Sequence, residues 1–350
     1  MSTLPGGPPP VAATLVNWNG WRDTLECLDS LAQLRYPDLA VYLCDNASSD
    51  DSIVRIIAWA DARQWPTVAV TEREAAAEPS LSSLRGSPYL VIVRHHTNAG
   101  FAGGTNVAMR CALASGRAYR YLWALNTDTI VHPDALGELV RALEVRPDAA
   151  SSQSLLLQSA DPTRLDSAGI RLLVRGGSKD ILRGRPVAML DLEKRNGRPL
   201  EVFGCCAASA LYRAAALEQV RLFDETFFQT NEDVDLACRL RAAGYQAWLV
   251  PTSVVRHKGG VSRRRKYGRM WFISHRNKLR VIARWWPRWL SPPALLIGVV
   301  RGWWAMVRAP DVPTREWAES LAVLWREYWG GAPERTRSRT FWLGWRGLLG

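Results

Sequence analysis

Apolar runs and helical repeats of apolar residues alternate along the first 125 residues of the chain. Val11–Asn17 is almost continuously apolar, which predicts a buried strand, and four leucines from Leu25 to Leu34 share one side of a helix that Asp23 can cap. The alternation continues with predicted strands at 39–44, 89–94 and 121–125 and predicted helices at 50–63 and 105–114. This order predicts an α/β fold with a doubly wound, mostly parallel, Rossmann-like sheet.

The rest of the pattern is less regular. Residues 75–88, rich in Ala, Glu and Ser, predict a surface insertion, and residues 151–198 predict irregular hairpins. Regular structure returns downstream, in order a segment at 201–212, a loop at 223–235, a helix ending near Gly244, a strand at 246–250 and a closing segment at 254–260. We therefore expect one α/β domain over residues 10–260.

Composition divides the chain in a second way. Its 350 residues are 47% apolar and 22% charged, which excludes wholesale disorder, collagen-like repeats and small disulfide scaffolds. The net charge is +12, but from Arg256 onward there are 20 Lys and Arg against 5 Asp and Glu, together with 11 of the 17 Trp. We expect residues 261–350 to form a separate helical, basic, Trp-rich region that associates with a membrane or dimerises.

Cysteine usage and the absence of a leader favour the cytoplasm. The six cysteines show no C-x-x-C pair and no zinc spacing, and Cys205 and Cys206 are typical of small core residues. The first ten residues lack the basic and apolar parts of a secretory signal. The longest apolar stretch, 293–307, is interrupted by Arg301 and is shorter than the roughly 20 residues that span a bilayer. We expect peripheral contact, if any, with a membrane.

Tryptophan and arginine alternate through the C-terminal region. This mixture predicts interfacial helices on an anionic membrane, because Trp prefers the headgroup region and cations are attracted to anionic lipid. Binding of single-stranded nucleic acid is less favoured, since the tryptophans stand among Leu, Ile and Val; burial in a helical subdomain or a dimer contact stays open. The residues concerned are Arg263, Arg264, Arg265, Lys266, Arg284, Trp285, Trp286, Arg288, Trp289, Arg301, Trp303, Trp304 and Arg308.

Polar residues follow the first two predicted strands. Asn17 ends the first strand in V-N-W-N-G, and Asp45 ends the second in C-D-N-A-S-S-D. A carboxylate at this place can accept hydrogen bonds from a nucleotide, although an Asp-Asn pair can also simply form a turn. The sequence has neither G-x-G-x-x-G after the first strand nor G-x-x-x-x-G-K-[ST], which argues against dinucleotide and P-loop sites.

Two further polar turns follow later strands. Asn98 and Gly100 belong to T-N-A-G-F-A-G-G-T-N, where glycines let the backbone approach a ligand closely or serve structure alone. Asn126 and Asp128 belong to N-T-D-T after the strand at 121–125. One carboxylate is enough to help hold a divalent cation on a diphosphate, since phosphate and water oxygens complete the shell. A turn cap at Asp128 is the alternative.

The last cluster is N-E-D-V-D at 231–235, followed by His257. Acidic residues in a first helical turn are expected from the helix dipole alone, and a lone His is more often a satisfied polar residue than a metal ligand. The order of the four clusters points to a shared site. A nucleotide-type acid comes first, then the glycine loop and the Asp turn, and last the paired acids and His257.

This ordered set resembles the inverting family 2 glycosyltransferases of GT-A fold, particularly the branch described as rhamnosyltransferase-like. The resemblance covers residues 11–280. One departure is that the family's Asp-x-Asp signature stands here as Asn126-Thr127-Asp128, so that only the last carboxylate remains. The matching motifs are V-N-W-N, D-N-A-S-S-D, N-A-G-F-A-G-G-T-N, L-N-T-D-T, N-E-D-V-D-L-A-C-R-L-R-A-A-G-Y and H-K-G-G-V-S.

The resemblance implies a role for each cluster. Asp45 would hold the base of a nucleotide-sugar, and Asp128 and His257 would bind Mn²⁺ or Mg²⁺ on its diphosphate. Asp233 would be the general base that deprotonates an acceptor hydroxyl, so that a single displacement inverts the anomeric carbon. Glu232 and Asp235 would orient neighbours or cap the helix. The remaining donor-site residues would be Asn17, Asn98, Gly100 and Asn126.

The resemblance also implies partners. The donor would be dTDP-, UDP- or GDP-linked, with rhamnose on dTDP the first choice, and the acceptor a glycan hydroxyl, including glycans on polyprenyl-diphosphate lipids. The enzyme would then work on the cytoplasmic face of the cell membrane, without nucleic acid, and could form a homo-oligomer. Two alternatives are a nucleotidyltransferase, although residues 11–19 lack its basic activating loop, and a nonenzymatic membrane-bound sugar-nucleotide binder.

Overall fold

The computed structural model describes most of the chain. The residues described are 7–75, 88–173, 176–193, 196–259, 269–286, 291–308 and 314–329. Residues 76–87 of the predicted insertion, the arginine-rich run 263–266, and residues 288 and 289 lie outside them.

The strands form one large sheet and one small hairpin. They are β1 (Val11–Asn17), β2 (Leu39–Asn46), β3 (Thr67–Thr71), β4 (Tyr89–His95), β5 (Tyr121–Leu125), β6 (Thr129–Val131), β7 (Ala149–Gln158), β8 (Leu165–Ser167), β9 (Ile170–Leu172), β10 (Ser178–Asp180), β11 (Leu200–Val202), β12 (Ser209–Arg213) and β13 (Gln246–His257).

Seven helices precede residue 260 in the described chain, and three follow it. They are α1 (Trp21–Leu31), α2 (Ser52–Ala62), α3 (Glu72–Ala75), α4 (Gly100–Ala114), α5 (Ala135–Glu144), α6 (Ala214–Val220), α7 (Glu232–Ala242), α8 (Arg269–Trp285), α9 (Ser291–Arg308) and α10 (Thr314–Trp329). Short 3-10 turns lie at Val187–Leu190 and Glu225–Phe227.

The main sheet has the order β11-β13-β7-β12-β5-β1-β2-β4-β3, with β6 paired to β13 and β8 to β7. Strands β5 to β3 along this order are parallel, and β12 runs antiparallel between β5 and β7. The chain winds from β1 through β2 to the edge strand β3, returns to β4 between β2 and β3, and then crosses to β5 on the other side of β1. The predicted doubly wound sheet is confirmed, and such a reversal leaves a crevice at the carboxyl ends of the strands.

Helices cover both faces of the sheet. Alternate residues of β1 show the division, because Val11, Ala13 and Leu15 pack with α1, α2 and α5, whereas Ala12 packs with α4, α6 and α7. The central strands are therefore buried on both faces, which accounts for their continuous apolar runs.

Helix α4 begins at Gly100, five residues before the predicted start at Thr105, so that expectation was wrong. Two of these glycines leave room for close contacts. A Cβ on Gly104 would lie 2.8 Å from Val16 Cγ1 of β1, and one on Gly103 would lie 2.5 Å from the Cβ of Ala99, just before the helix. Glycine is here a packing residue within the helix rather than a signal of its absence.

Strand β7 was missed, because irregular hairpins were expected from residue 151. Its first half is polar, yet Ser151, Ser152, Gln153 and Ser154 are all buried. Partners inside the protein satisfy them; Ser154 Oγ, for example, lies 2.9 Å from Ser209 Oγ and 2.8 Å from a second serine hydroxyl on β13. Buried polar groups that bond one another carry no apolar signal in the sequence. The hairpin β9–β10 does match the expectation.

The C-terminal helices are partly core and partly exposed surface. Trp285 and Trp286 are buried, so the interfacial role expected for these two was wrong, whereas Trp303 and Trp304 on α9 are exposed. Arg284 also belongs to the packed part, where it bonds acidic groups of α7 and α10. Among the described helices, none combines the length and apolarity needed to cross a bilayer. The division of the chain at residue 260 stays a prediction.

Candidate active site

A cleft of about 1290 Å³ opens where β1, β5 and β13 end. Its walls come from the polar turns after these strands, from hairpin β9–β10, and from the starts of α4, α7 and α8. Predicted site residues that line it are Asn98, Gly100, Asn126, Asp128, Asp233 and His257. Residues brought from distant parts of the sequence therefore share one cavity.

Asp128 and His257 meet at one side of the cleft. Antiparallel pairing of β6 with β13 places His257 opposite Thr129, next to the N-T-D turn. His257 Nε2 lies 3.1 Å from Asp128 Oδ1 and 3.3 Å from Asn126 Nδ2. The other ring nitrogen, Nδ1, lies 2.7 Å from an Asp166 carboxylate oxygen.

These donors fit a divalent cation. Within the described residues, no cluster of three or more His, Cys, Asp or Glu forms a complete metal site. Asp128 and His257 would therefore be the two ligands that the protein supplies here. Mn²⁺ or Mg²⁺ bound to a diphosphate needs no more, because phosphate and water oxygens fill its remaining positions. Asn126 Oδ1 beside them is buried with no partner in the described structure, as expected of an oxygen that faces a ligand.

Asp166 fixes the imidazole between two carboxylates. Burial lowers the pKa of His257, but hydrogen bonds to Asp128 and Asp166 outweigh it and raise the pKa to about 9. Burial alone would raise the pKa of Asp166. The hydrogen bond and charge of His257 and the charge of Arg183 outweigh burial, so the pKa of Asp166 lies below its ordinary value. A carboxylate on Nδ1 leaves Nε2 as the ligating atom when a metal displaces its proton.

Asn17 and Asp45 lie beneath the cleft surface. Asp45 is 2% exposed, and its carboxylate accepts hydrogen bonds from Asn17 Nδ2 at 2.9 Å, Ser48 Oγ at 2.7 Å and the Ser48 backbone N at 3.1 Å. Asn17 is fully buried and accepts a bond from Thr24. The two side chains hold the loop after β2, and direct contact of either with a nucleotide stays a prediction.

Asn46, which the sequence analysis considered only as a turn residue beside Asp45, lines the cleft instead. Its Nδ2 donates to Asn98 Oδ1 at 3.1 Å and to the Gly100 carbonyl at 2.9 Å, and its Oδ1 accepts from the Ala99 backbone N at 3.0 Å. Gly100 has φ +72°, and a side chain there would overlap the Phe228 carbonyl. Asn98 and Gly100 are thereby fixed at the rim, as a donor pocket requires.

Asp233 stands in the first turn of α7, which supplies another part of the cleft wall. Its carboxylate accepts hydrogen bonds from the backbone N of Val234 at 2.8 Å and of Ala207 at 3.3 Å. Burial and the nearby charge of Asp180 raise its pKa to about 6. A carboxyl with such a pKa is ionised at neutral pH and accepts a proton more readily than an ordinary Asp.

The two other acids of α7 have different surroundings. Asp235 is 1% exposed and accepts hydrogen bonds from Arg239, Arg284 and Trp285, which makes it a structural anchor. Glu232 is buried, and burial together with the charge of Asp233 raises its pKa well above the ordinary value. Glu232 and Asp233 both line the cleft, and of the two Asp233 has the carboxylate that accepts hydrogen bonds from the backbone N of Ala207 and Val234.

Residues on the hairpin region were missed by sequence reasoning. Arg183 forms ion pairs with Asp166 at 2.9 Å and with Asp180 at 2.6 Å. It thereby connects the carboxylate that orients His257 to the carboxylate whose charge raises the pKa of Asp233. Trp271, at the start of α8, supplies an aromatic wall. The irregular Gly, Arg and Asp pattern of 151–198 pointed to this region without singling out a residue.

Solved structures share this fold at low identity. GalNAc-T7, solved with UDP, GalNAc and Mn²⁺, has a TM-score of 0.54 and 12% identity over 80% of this chain and 49% of its own, so this chain spans about half its length. The mannosyltransferase PcManGT from Pyrobaculum calidifontis, in complex with GDP-Man and Mn²⁺, has a TM-score of 0.50 and 16% identity over 99% and 88%. Residues 1–349 of TarS from S. aureus have a TM-score of 0.51 and 11% identity over 91% of this chain and 81% of their own.

The sequence matches the model described as glycosyltransferase like family 2 over residues 8–283, a range that includes every site residue above. No curated protein matches it significantly. The fold is that of GT-A glycosyltransferases, and the family match supports a glycosyltransferase, while the rhamnosyltransferase branch stays a prediction. The chain belongs to the glycosyltransferase-like family 2.

Proposed function

We propose that the protein is an inverting glycosyltransferase that moves a sugar from a nucleoside-diphosphate donor to a hydroxyl of a lipid-linked or cell-surface glycan. The observation that carries this proposal is the placement of Asp128, His257 and Asp233 on one cleft. Single-displacement inversion needs a base on the acceptor side and stabilisation of the leaving diphosphate on the other.

The donor's diphosphate would face Asp128 and His257. A Mn²⁺ or Mg²⁺ ion held there would act as a Lewis acid that offsets charge on the leaving nucleoside diphosphate. The similar folds of GalNAc-T7 and PcManGT, solved with Mn²⁺ and nucleotide or nucleotide-sugar, support this choice of cofactor. Asn98, Gly100 and Asn126 would border the donor, and Asn17 and Asp45 would support the loop beneath it.

Asp233 would accept the proton of the attacking hydroxyl. Its two backbone hydrogen bonds hold the carboxylate against the start of α7, and its pKa of about 6 suits a base at neutral pH. Rhamnose from dTDP remains the first donor to test, on the resemblance of the motifs, and UDP- and GDP-sugars follow.

The test is Asp233→Asn, with Asp61→Asn as matched control because Asp61 is an exposed carboxylate on α2. Removal of a general base costs on the order of 100-fold or more in kcat, whereas donor affinity should stay within about threefold. Turnover is measured with dTDP-, UDP- and GDP-sugars plus Mn²⁺, and donor affinity by titration calorimetry. Near-normal turnover in Asp233→Asn would show that another group is the base.

A further inference from the structure

Three cations lie beside the part of the cleft wall that hairpin β9–β10 supplies. Lys179 of β10 lines the cleft, Lys278 lies on α8, and Arg301 lies on α9. The β9–β10 turn rests on both helices, since a Cβ on Gly176 would lie 3.0 Å from Ile282 Cδ1 and from the Ala294 Cβ. The three charged groups therefore lie near one another where the β9–β10 turn meets α8 and α9.

None of these cations has an anionic partner among the residues the structure describes. Lys278 is half-buried, and its stem crosses the backbone of Gly177 so closely that a Cβ there would overlap Lys278 Cε. Burial and the charges of Arg301 and Lys179 lower the pKa of Lys278. Lys179 and Arg301 are exposed, whereas Lys278 is half-buried. A partly buried cation that other cations face is stabilised by an anion, so this group of charges favours binding of an anionic ligand.

The helix that carries Arg301 also has an apolar outer face. Small residues point inward, because a Cβ on Gly298 or Gly302 would overlap Leu279 or Trp317. Large apolar side chains point outward, each at least 45% exposed, namely Leu296, Ile297, Val300, Trp303, Trp304 and Val307. A contiguous exposed apolar face of this kind is typical of a membrane-contacting surface.

Charge decides between a lipid and a second copy of the chain. The sequence from Arg256 to Pro310 contains no Asp or Glu. Symmetric contact between two copies of α9 would thus bring like charges together with no acid on the helix to pair them. An anionic lipid surface complements both the cations and the apolar face.

We propose that Lys179, Lys278 and Arg301 bind the phosphate of a polyprenyl-linked acceptor, while the hydrocarbon of that lipid and the surrounding bilayer lie against the outer face of α9. This assignment rests on the proposed function, because it places the acceptor's glycan in the cleft beside Lys179. Trp271, Met270 and Ile273, on the adjoining wall, would border the glycan.

The test is flotation of the full chain with three kinds of vesicle. These are phosphatidylcholine alone, phosphatidylcholine with phosphatidylglycerol, and phosphatidylcholine with polyprenyl phosphate at the same surface charge. We expect the strongest capture by the third kind. Lys278→Gln and Arg301→Gln should each weaken that capture about fivefold, and the triple variant with Lys179→Gln about 100-fold. Arg73→Gln, at an exposed position on α3, should leave it unchanged.

A matched pair of variants tests the apolar face of α9. Val300 is 55% exposed on α9 and Val54 is 69% exposed on α2. Val300→Ser should weaken capture by all three vesicle kinds about threefold, whereas Val54→Ser should not. Equal capture by phosphatidylglycerol and polyprenyl phosphate would overturn the acceptor site in favour of general headgroup attraction. A triple variant that floats like the unaltered chain would overturn it altogether.

The two proposals fail separately. Flotation needs no turnover, so Asp233→Asn should float like the unaltered chain whether or not Asp233 is the base. Circular dichroism and thermal unfolding show whether Lys278→Gln and Arg301→Gln fold. Loss of vesicle capture by a folded variant supports the lipid site; unchanged capture refutes it and leaves the glycosyltransferase proposal intact.

Discussion

If Asp233 is the base, burial and the charge of Asp180 together set the pH below which activity falls. Burial and Asp180 raise the pKa of Asp233 from 3.8 to about 6. Only the ionised carboxylate accepts a proton, so kcat/KM should fall as the pH falls below about 6. Asp180→Asn removes a negative charge, lowers the pKa of Asp233 and should move this limb to lower pH.

The size of the effect has a ceiling. At pH 5 a carboxyl of pKa about 6 is about one-tenth ionised, and one of ordinary pKa is almost fully ionised, so the largest gain is about tenfold. Burial, the larger of the two causes, persists in the variant. We therefore expect the ratio of kcat/KM at pH 5 to that at pH 8 to rise about two- to fivefold.

The assay measures kcat/KM from pH 4.5 to 8.5 at saturating Mn²⁺, with Asp61→Asn as control. Arg183 keeps its 2.9 Å ion pair with Asp166 when Asp180 is replaced, so the hairpin stays anchored. An acid limb that stays in place, or moves to higher pH, would refute either the charge coupling or the role of Asp233.

Two further predictions concern metal binding and the fit of α9. Asp166→Asn weakens the orientation of His257 and should lower Mn²⁺ affinity about 10- to 100-fold, measured by paramagnetic resonance of free Mn²⁺ without turnover; unchanged affinity would contradict its positioning role. Gly302→Ala should lower the free energy of unfolding by about 1–3 kcal/mol in urea, because the new methyl overlaps the Trp317 ring. Gly137→Ala, with open space around it, should instead stabilise α5 by up to about 1 kcal/mol.

The strands at the centre of the sheet could be predicted because burial on both faces leaves an unmistakable apolar run. β1 and β5 have the predicted bounds, Val11–Asn17 and Tyr121–Leu125. Carboxyl ends of parallel strands meet at one edge, which predicts a ligand site near Asp128. His257 reaches that site through the antiparallel pairing of β13 with β6.

What could not be predicted depends on partners distant in sequence. Asp166 lies in a three-residue strand, and only its 2.7 Å contact with His257, 91 residues away, gives it a role. Strand β7 is stabilised by serine hydroxyls that bond across strands, a pattern that a hydrophobicity argument takes for a loop. The early start of α4 likewise depends on how closely Gly104 approaches Val16.

The C-terminal helices also complete the catalytic cleft. Phe228, Thr230 and Asn231, just before α7, all have positive φ, between 66° and 67°, which strains residues other than glycine. Asn277 of α8 is fully buried and donates to the carbonyls of Phe227, Gln229 and Thr230 at 2.7–2.9 Å.

Arg284 holds the same region from the next turns of α8, through Asp224 at 2.6 Å and Asp235 at 3.2 Å. The strained loop lines the cleft and leads into the turn that carries Asp233. Because α8 supplies the hydrogen bonds that offset this strain, the position of the base depends on a helix outside the sheet. Contact of α9 with a membrane would thus also affect α8, the helix that keeps Asp233 in place.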